Sequence, residues 1–518
     1  MRLYACDKLA YNLGIEAWDD RRLDTYINQA LASLTRDGST RATIDNLYNK
    51  VDYLSSGSPY PNGTITAEIT ENRISHNNRF YSSDKYVSLR SNYEMEMSIA
   101  NRCRAASANE PPVSLHDINL IEKKLHMIYD PSQREALSNL GLSGISILTG
   151  GPGTGKTSVI KGIVELFKSR HPKAKIKLCA FTGRASVNMK DKVRKSAYTI
   201  HHMLTEIDAF SPDWINSKQR KLINADLVII DEASLVDLRL TFMLFAALPP
   251  KARIILCGDD DQLPAVGAGN VMHDLISSGI IDTVKLRYVH RQGEGSSIVT
   301  NAKDRILKGL IPLDNGDTHM MPVSSAENGL KEVMRLFEGI YSEDSPFSSQ
   351  ILTPSKASAA SINNASRQML GKDISKDISE GDKVMFTRNN WEKGYVNGQM
   401  GTVWGFYEGE LAVDVDNTLI YLTDTEINDI IPAYACTVHK AQGGEYDTVI
   451  LSLTENNSPL LTRNMLYTAI TRAKKSVYIV YTDSAMERAL SNVCSRDTWL
   501  SDLSAENYNE EEIYPEVS

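Results

Sequence analysis

The sequence predicts an α/β protein built from two parallel-sheet halves, with a small antiparallel barrel set into the second half and a mostly helical front end. Near-continuous apolar runs carry the first expectation: Ile176–Phe181, Leu227–Ile230, Ile254–Cys257, Ile351–Thr353, Val449–Leu453 and Val477–Tyr481, with helical stretches between them. Strands that are apolar on both faces belong to parallel sheets covered by helices on each side. Spread over more than half the chain, these runs exceed what one α/β core uses, so two units are expected. Residues 382–432 have a different texture. Short alternating runs (Val384–Phe386, Thr402–Trp404, Leu411–Val415, Leu419–Leu422), broken by Asn397-Gly398 and Gly401, read as a small antiparallel barrel.

Taken in order, residues 1–112 form a front unit that closes near Glu110-Pro111-Pro112, and Arg79–Tyr81 with Tyr86–Leu89 suits a small β-wing. The first half, 113–280, contains the apolar run Ile145–Leu148 followed by Gly150-Gly151-Pro152-Gly153-Thr154-Gly155-Lys156-Thr157. That is a phosphate-binding loop in its required setting, strand before and helix after. Gly151, Gly153, Thr154 and Gly155 let backbone N–H groups close around the phosphates of ATP. Lys156 supplies a point charge for the β- and γ-phosphates, and the Thr157 hydroxyl ligates Mg²⁺. Val159, Ile160, Ile163, Val164 and Phe167 then keep helical spacing, so the helix dipole points at the anion.

Two acids, Asp231 and Glu232, stand at the C-terminal end of the Leu227–Ile230 run, the edge where ligands bind in a doubly wound sheet. There Asp231 holds Mg²⁺ and Glu232 orients and deprotonates the attacking water. The next run ends in Gly258–Pro264, where the Gln262 amide can accept and donate around the γ-phosphate. The second half comprises 281–381 and 433–490, split by the barrel. Residues 491–518 read as an acidic tail. Its last stretch, with Glu506, Glu510, Glu511, Glu512 and Glu516, lacks a periodic apolar face and is expected to be disordered.

With 42% hydrophobic and 23% charged residues over 518 positions, the composition is that of an ordinary globular protein with a sizeable core. No apolar stretch reaches membrane-spanning length and the first residues hold no signal-peptide core, so a cytoplasmic protein is expected. The six cysteines show no C-x-x-C pairing, which argues for reduced thiols and against zinc. A net charge of −9 argues against coating nucleic acid, but the charge is uneven. Between Lys173 and Lys195 eight basic residues face only Asp191; alone, such a run is a solvated helix face.

The order of motifs from about 130 to 480 resembles superfamily 1 helicases, and among them the RecD/Dda-like group (exodeoxyribonuclease V α-subunit-like). The resemblance implies RecA-like motor domains for the two halves, an SH3-like fold for the insertion, and a front unit serving partner or duplex contacts. Pro131–Arg134 is similar to the adenine-reading segment, which implies that Gln133 reads the base. Thr182-Gly183-Arg184 and Thr199–His202 resemble segments that grip single-stranded DNA, implying contacts from Thr182, Arg184 and His201. Val289–Gln292 resembles the segment bearing one arginine finger, Arg291, and Tyr467–Lys474 the segment bearing the other, Arg472. Thr437–Glu445 resembles the segment that meets DNA through Thr437 and His439 and nucleotide through Glu445. Residues 205–225 lie where relatives place a strand-separating hairpin; Phe210 and Trp214 there suit either stacking on bases at a fork or seating the hairpin on its own domain. Two departures stand out: His290 where relatives carry an aromatic residue, and Phe181 where a proline is common.

Two arginines from the second half suit a γ-phosphate lying between halves, stabilising charge only in a closed cleft and so coupling hydrolysis to motion. The implied activity is an ATP-driven helicase or translocase on single-stranded and forked DNA, moving 5′→3′, with protein partners through the front unit or the acidic tail. Two alternatives stay open, a motor subunit of a RecBCD-like helicase–nuclease complex and an ATP-gated DNA clamp. A clamp has no need of a complete hydrolytic set.

Overall fold

The computed structural model describes residues 3–106, 112–140, 144–217, 220–290, 296–390, 392–455 and 459–502. Among them the first parallel sheet has six strands, in the order Ala197–Thr199, Ile176–Ala180, Leu227–Asp231, Arg253–Gly258, Ile145–Thr149, Asp282–Lys285. All neighbours run parallel. The second parallel sheet has five, in the order Thr318–Pro322, Ala473–Tyr481, Tyr446–Leu453, Ser349–Thr353, Ala435–Thr437. The central strands are the long apolar runs legible in the sequence. The edge strands are short and partly polar, and carry no such signal: Ala197–Thr199 and Asp282–Lys285 are only partly buried.

Residues 383–432 form an antiparallel five-stranded sheet, in the order Thr418–Leu422, Glu410–Val415, Met400–Tyr407, Lys383–Phe386, Ile430–Pro432. It closes on its own small core of Val384, Phe386, Tyr395, Val403, Val413 and Leu422. At the front, four helices between Leu3 and Ser75 pack with the antiparallel strands Arg41–Thr43, Tyr86–Leu89 and Phe80–Ser82 around Tyr26, Ile27, Leu47, Phe80 and Val87.

The front unit is not free-standing. Its last helix, Arg90–Ala105, sinks Ile99, Ala100 and Cys103 into the core of the first parallel sheet. On the same helix, Arg102 donates to the Leu248 and Pro249 carbonyls at 3.0 and 2.7 Å.

Three sequence expectations are corrected here. Residues 205–225 hold no strand among their described positions, and are built instead around the short helix Pro212–Asn216. Ser211 caps that helix by accepting from the Trp214 N–H at 3.2 Å, as a short polar side chain does at a helix start. The boundary at 280 moves as well, because the strand Asp282–Lys285 completes the edge of the first sheet beside Ile145–Thr149. The tail beyond 491 is not uniformly loose either. Residues 492–502 run from the second sheet unit across the first and into the front unit, where Trp499 is only 8% exposed. Residues 503–518, with the glutamates of the tail, lie outside the described residues.

Candidate nucleotide cleft and nucleic-acid face

The phosphate loop leaves the strand Ile145–Thr149 and enters the helix Lys156–Arg170 at the C-terminal edge of the first sheet. Gly153 and Gly155 adopt φ of +77° and +83°, a region that a side chain disfavours. A β-carbon on Gly155 would also lie 2.4 Å from the Gln133 amide nitrogen. Thr154, fully buried, donates its hydroxyl to the Gly151 carbonyl at 2.8 Å and tightens the loop. Lys156 Nζ donates to the Gly150 and Gly151 carbonyls, so its ammonium is parked at the loop mouth where phosphate oxygens would compete for it.

Asp231 ends its strand beside Glu232, whose N–H donates to Asp231 Oδ1 at 3.0 Å. Burial first, and then the neighbouring Glu232 charge, push the Asp231 carboxyl up to about 6, with Lys156 opposing. A bound cation would reverse that direction. Glu232 sits at φ +52°, in the left-handed region, an uncommon position for a non-glycine residue and one that clusters at functional sites. These groups line a cleft of about 390 Å³ together with Thr157, Lys192, Gln262 and His290, and the opposite wall is formed by Gly443, Glu445 and Arg472 of the second unit. Arg472 is buried, and its guanidinium donates to the Thr468 carbonyl at 3.1 Å and the Gly444 carbonyl at 3.3 Å. Arg291 lies outside the described residues.

Gln133 is already engaged. Its Nε2 donates to the Thr154 carbonyl at 3.1 Å and its Oε1 accepts from the Asp130 N–H at 3.2 Å. The amide that the resemblance assigns to a base therefore braces the phosphate loop in this state, and reading a base requires it to exchange partners. His290 was not among the expected site residues, yet its Nε2 lies 2.6 Å from Asp130 Oδ2 and its N–H donates to the Gly153 carbonyl at 2.9 Å. Its position one residue before Arg291 was the available signal. Lys303 was missed as well. It stands on a one-turn π-helix, Asn301–Arg305, and a β-carbon on Gly151 would lie 3.4 Å from its Cε.

The expected DNA contacts share a local construction. Thr182 and Thr437 follow strands and cap the next helical turn, accepting from the N–H groups of Ala185 at 3.1 Å and Lys440 at 3.4 Å. Their hydroxyl protons stay available to donate. Arg184 donates to the Tyr446 hydroxyl at 3.0 Å and lies over that ring, and Asn188 donates to the Gly443 carbonyl at 3.0 Å. These contacts join the two sheet units directly. Burial lowers both His201 and His439 below the usual imidazole value, so both are neutral near pH 7. His201 stacks on Phe210 with centroids 6.0 Å apart, and Phe210 is 42% exposed.

Trp214 is a correction. It is 7% exposed, belongs to the core of the first parallel sheet and donates its indole N–H to the Lys221 carbonyl at 2.8 Å. An apolar body buried with its polar handle satisfied is an anchor, not a surface for bases. The basic run does not form one surface either. Lys192 lines the cleft, while Lys195 lies with Glu165, Lys168 and Lys124, and burial with the Lys168 charge lowers it to about 8.

Comparison with known proteins agrees with this geometry. A family model described as an AAA domain matches residues 133–268, and one described as a UvrD-like helicase C-terminal domain matches residues 432–480. The ATP-dependent RecD2 DNA helicase of Deinococcus radiodurans is 30% identical over 404 residues, covering 76% of this chain and 55% of that protein. The chain thus spans about half the length of that relative. The RecBCD enzyme subunit RecD of Mycolicibacterium smegmatis is 28% identical over 414 residues, covering 71% of this chain and 74% of that one. A solved Pif1 helicase from Bacteroides superposes with a TM-score of 0.46 at 20% identity, over 70% of this chain and 94% of that one. In both sheet units the chain is similar to RecD-like superfamily 1 helicases.

Proposed function

We propose that this chain is a DNA-dependent ATPase that translocates on single-stranded DNA and unwinds duplexes, 5′→3′. One observation carries the reading. The cleft gathers Lys156, Thr157, Asp231, Glu232 and Gln262 from one sheet and Glu445 and Arg472 from the other, so a nucleotide bound there touches both units and its hydrolysis changes how they meet. Mg²⁺ would be held by Thr157 and Asp231 and would neutralise charge between the phosphates. Glu232 takes the proton of the attacking water, Gln262 orients that water, and Arg472, joined by Arg291, stabilises charge as the γ-phosphate departs. In this reading the first RecA-like motor runs from 113 through the strand Asp282–Lys285, past the boundary at 280 expected from sequence, the rest of 281–381 with 433–490 is the second, and 382–432 is an SH3-like insertion. The tracked strand runs past Thr182, Arg184, His201, Thr437 and His439, and Phe210 meets the fork. The six free cysteines suit a reducing cytoplasm, and no helix among the described residues is long and apolar enough to cross a membrane.

The match to a RecBCD subunit supports a second reading, a motor that works only inside a helicase–nuclease complex. Both are tested with the chain alone. ATP turnover should rise on addition of single-stranded oligonucleotide, and a duplex with a 5′ overhang should be unwound while one with a 3′ overhang is not. Turnover without unwinding favours the subunit reading; DNA-independent turnover rejects both.

A further inference from the structure

One carboxylate ties the two sides of the cleft together. Asp259, 1% exposed, follows the strand Arg253–Gly258 of the first sheet. Its Oδ2 accepts from Gln262 Nε2 at 2.9 Å and from the Tyr467 hydroxyl at 3.1 Å. Its Oδ1 accepts from the Asp261 N–H at 3.2 Å. Tyr467 belongs to the second unit, on the helix Arg463–Ile470, and is itself 1% exposed. The same helix seats on the same loop twice more: Thr468 Oγ1 accepts from the Leu263 N–H at 2.9 Å, and Asn464 donates to the Asp261 and Gln262 carbonyls at 3.1 and 3.3 Å. Arg472 follows directly and is pinned to the Thr468 carbonyl.

This fixes the orientation of a catalytic amide. Because the donor end of Gln262 is committed to a carboxylate, its acceptor end points away from Asp259, and Oε1 is buried without a protein partner. Gln262 lines the cleft. An amide free to turn would offer donors and acceptor in turn; one held this way keeps its acceptor end unpaired, so the group it can receive is a donor such as a water proton and not a phosphate oxygen. Gly151 makes room for the arrangement, since a β-carbon there would lie 3.1 Å from the Tyr467 hydroxyl.

We propose that Asp259 and Tyr467 are positioning residues for hydrolysis: the carboxylate holds Gln262 with its acceptor end unpaired, and the phenol from the opposite unit completes that lock only when the helix leading into Arg472 is docked. The water-orienting amide and the arginine are then set by one docking event. The proposal rests on the hydrolytic reading above, and extends it to two side chains that reach the reaction through a third.

Steady-state ATP hydrolysis on single-stranded DNA, measured for the wild type, Tyr467→Phe, Gln262→Ala and the double variant, tests it. Tyr467→Phe keeps the ring and removes one hydrogen bond to a charged group. It should lower kcat about tenfold with KM for ATP within about twofold. In the Gln262→Ala background the same change should alter kcat by less than about twofold, because the group it orients is gone. Asp259→Asn, whose amide has only one acceptor oxygen and so must turn an NH2 group either to the Asp261 N–H or to the Gln262 and Tyr467 donors, should reproduce the kcat loss. An undiminished kcat in Tyr467→Phe, or equal fold losses in both backgrounds, overturns the proposal. A wild type without DNA-stimulated turnover instead overturns the functional reading on which it rests.

Discussion

The two junctions of this molecule are made of different stuff. Across the nucleotide cleft the sheet units meet mainly through polar contacts, Tyr467 on Asp259, Asn464 and Thr468 on the loop 261–263, Arg184 on Tyr446 and Asn188 on the Gly443 carbonyl, with Leu263 the one apolar side chain of that loop buried in the second core. At the front, residues 492–502 strap the units together by burial. The Trp499 ring sits among Tyr81, Tyr86 and Tyr93, with centroids 5.1, 6.1 and 5.5 Å away. Its indole N–H donates to Ser88 and its backbone N–H to Glu96. Arg41 pairs with Asp502, and Arg496 donates to the carbonyls of Ala265, Gly267 and Gly269. Polar contacts exchange partners at little net cost, whereas a buried aromatic cluster does not. In the proposed reading, motion driven by nucleotide therefore belongs at the cleft, and the front unit rides with the first sheet.

The largest effects should come from breaking the cleft alone. Glu232→Gln should lower DNA-stimulated turnover by about 10²- to 10⁴-fold, and Arg472→Ala by about 10³-fold, with nucleotide still bound and melting temperature little changed for Glu232→Gln. Turnover of Glu232→Gln near the wild-type rate would remove the base from that position.

Breaking the strap should do the reverse. Trp499→Ala should cost about 3–5 kcal/mol in denaturant unfolding and expose the front unit to protease, while single-stranded-DNA-stimulated ATPase persists in the folded fraction. Loss of turnover within the folded fraction itself, with no change in protease sensitivity, would show that the two junctions are not separable.

A pH experiment sharpens the contrast, since the strap rests on a carboxyl held away from water. Burial pushes Glu96 up to about 8 from an ordinary value of 4.5. Between those values the folded chain keeps a proton that the unfolded chain has lost, so stability falls as pH rises through that window and levels off above it. Asp274, which accepts from Thr498 and is raised to about 6, acts in the same direction. Glu96→Gln cannot ionise, so its stability relative to the wild type should climb steadily from pH 5 to pH 8. Parallel curves for the two proteins would place the titration elsewhere.

The smallest and most local test separates two aromatics that look alike in sequence. Trp214→Ala should lower melting temperature and every activity together, as core truncations do. Phe210→Ala, at a half-exposed position, should leave stability and ATPase nearly intact and lower unwinding if that ring works at the fork. Equal losses of ATPase and unwinding in Phe210→Ala would end its assignment to the duplex junction.

Much of the cleft was legible in the chain because its parts are local. Glycine spacing, a lysine and a threonine at the start of a helix, and acids at the end of an apolar strand are set by neighbours within a few residues, and each stands at the sheet edge. Backbone conformation and strand burial respond to exactly that short-range pattern of apolar and small residues. Tertiary structure alone decided what those parts touch. Trp214 turned inward because the first core had room for it and the Lys221 carbonyl for its N–H. Asp259 met a tyrosine 208 positions away, and Trp499 a serine 411 positions away. No periodicity encodes such pairs, since they exist only once separate sheets have closed on one another and buried polar groups must find whatever partner that closure supplies.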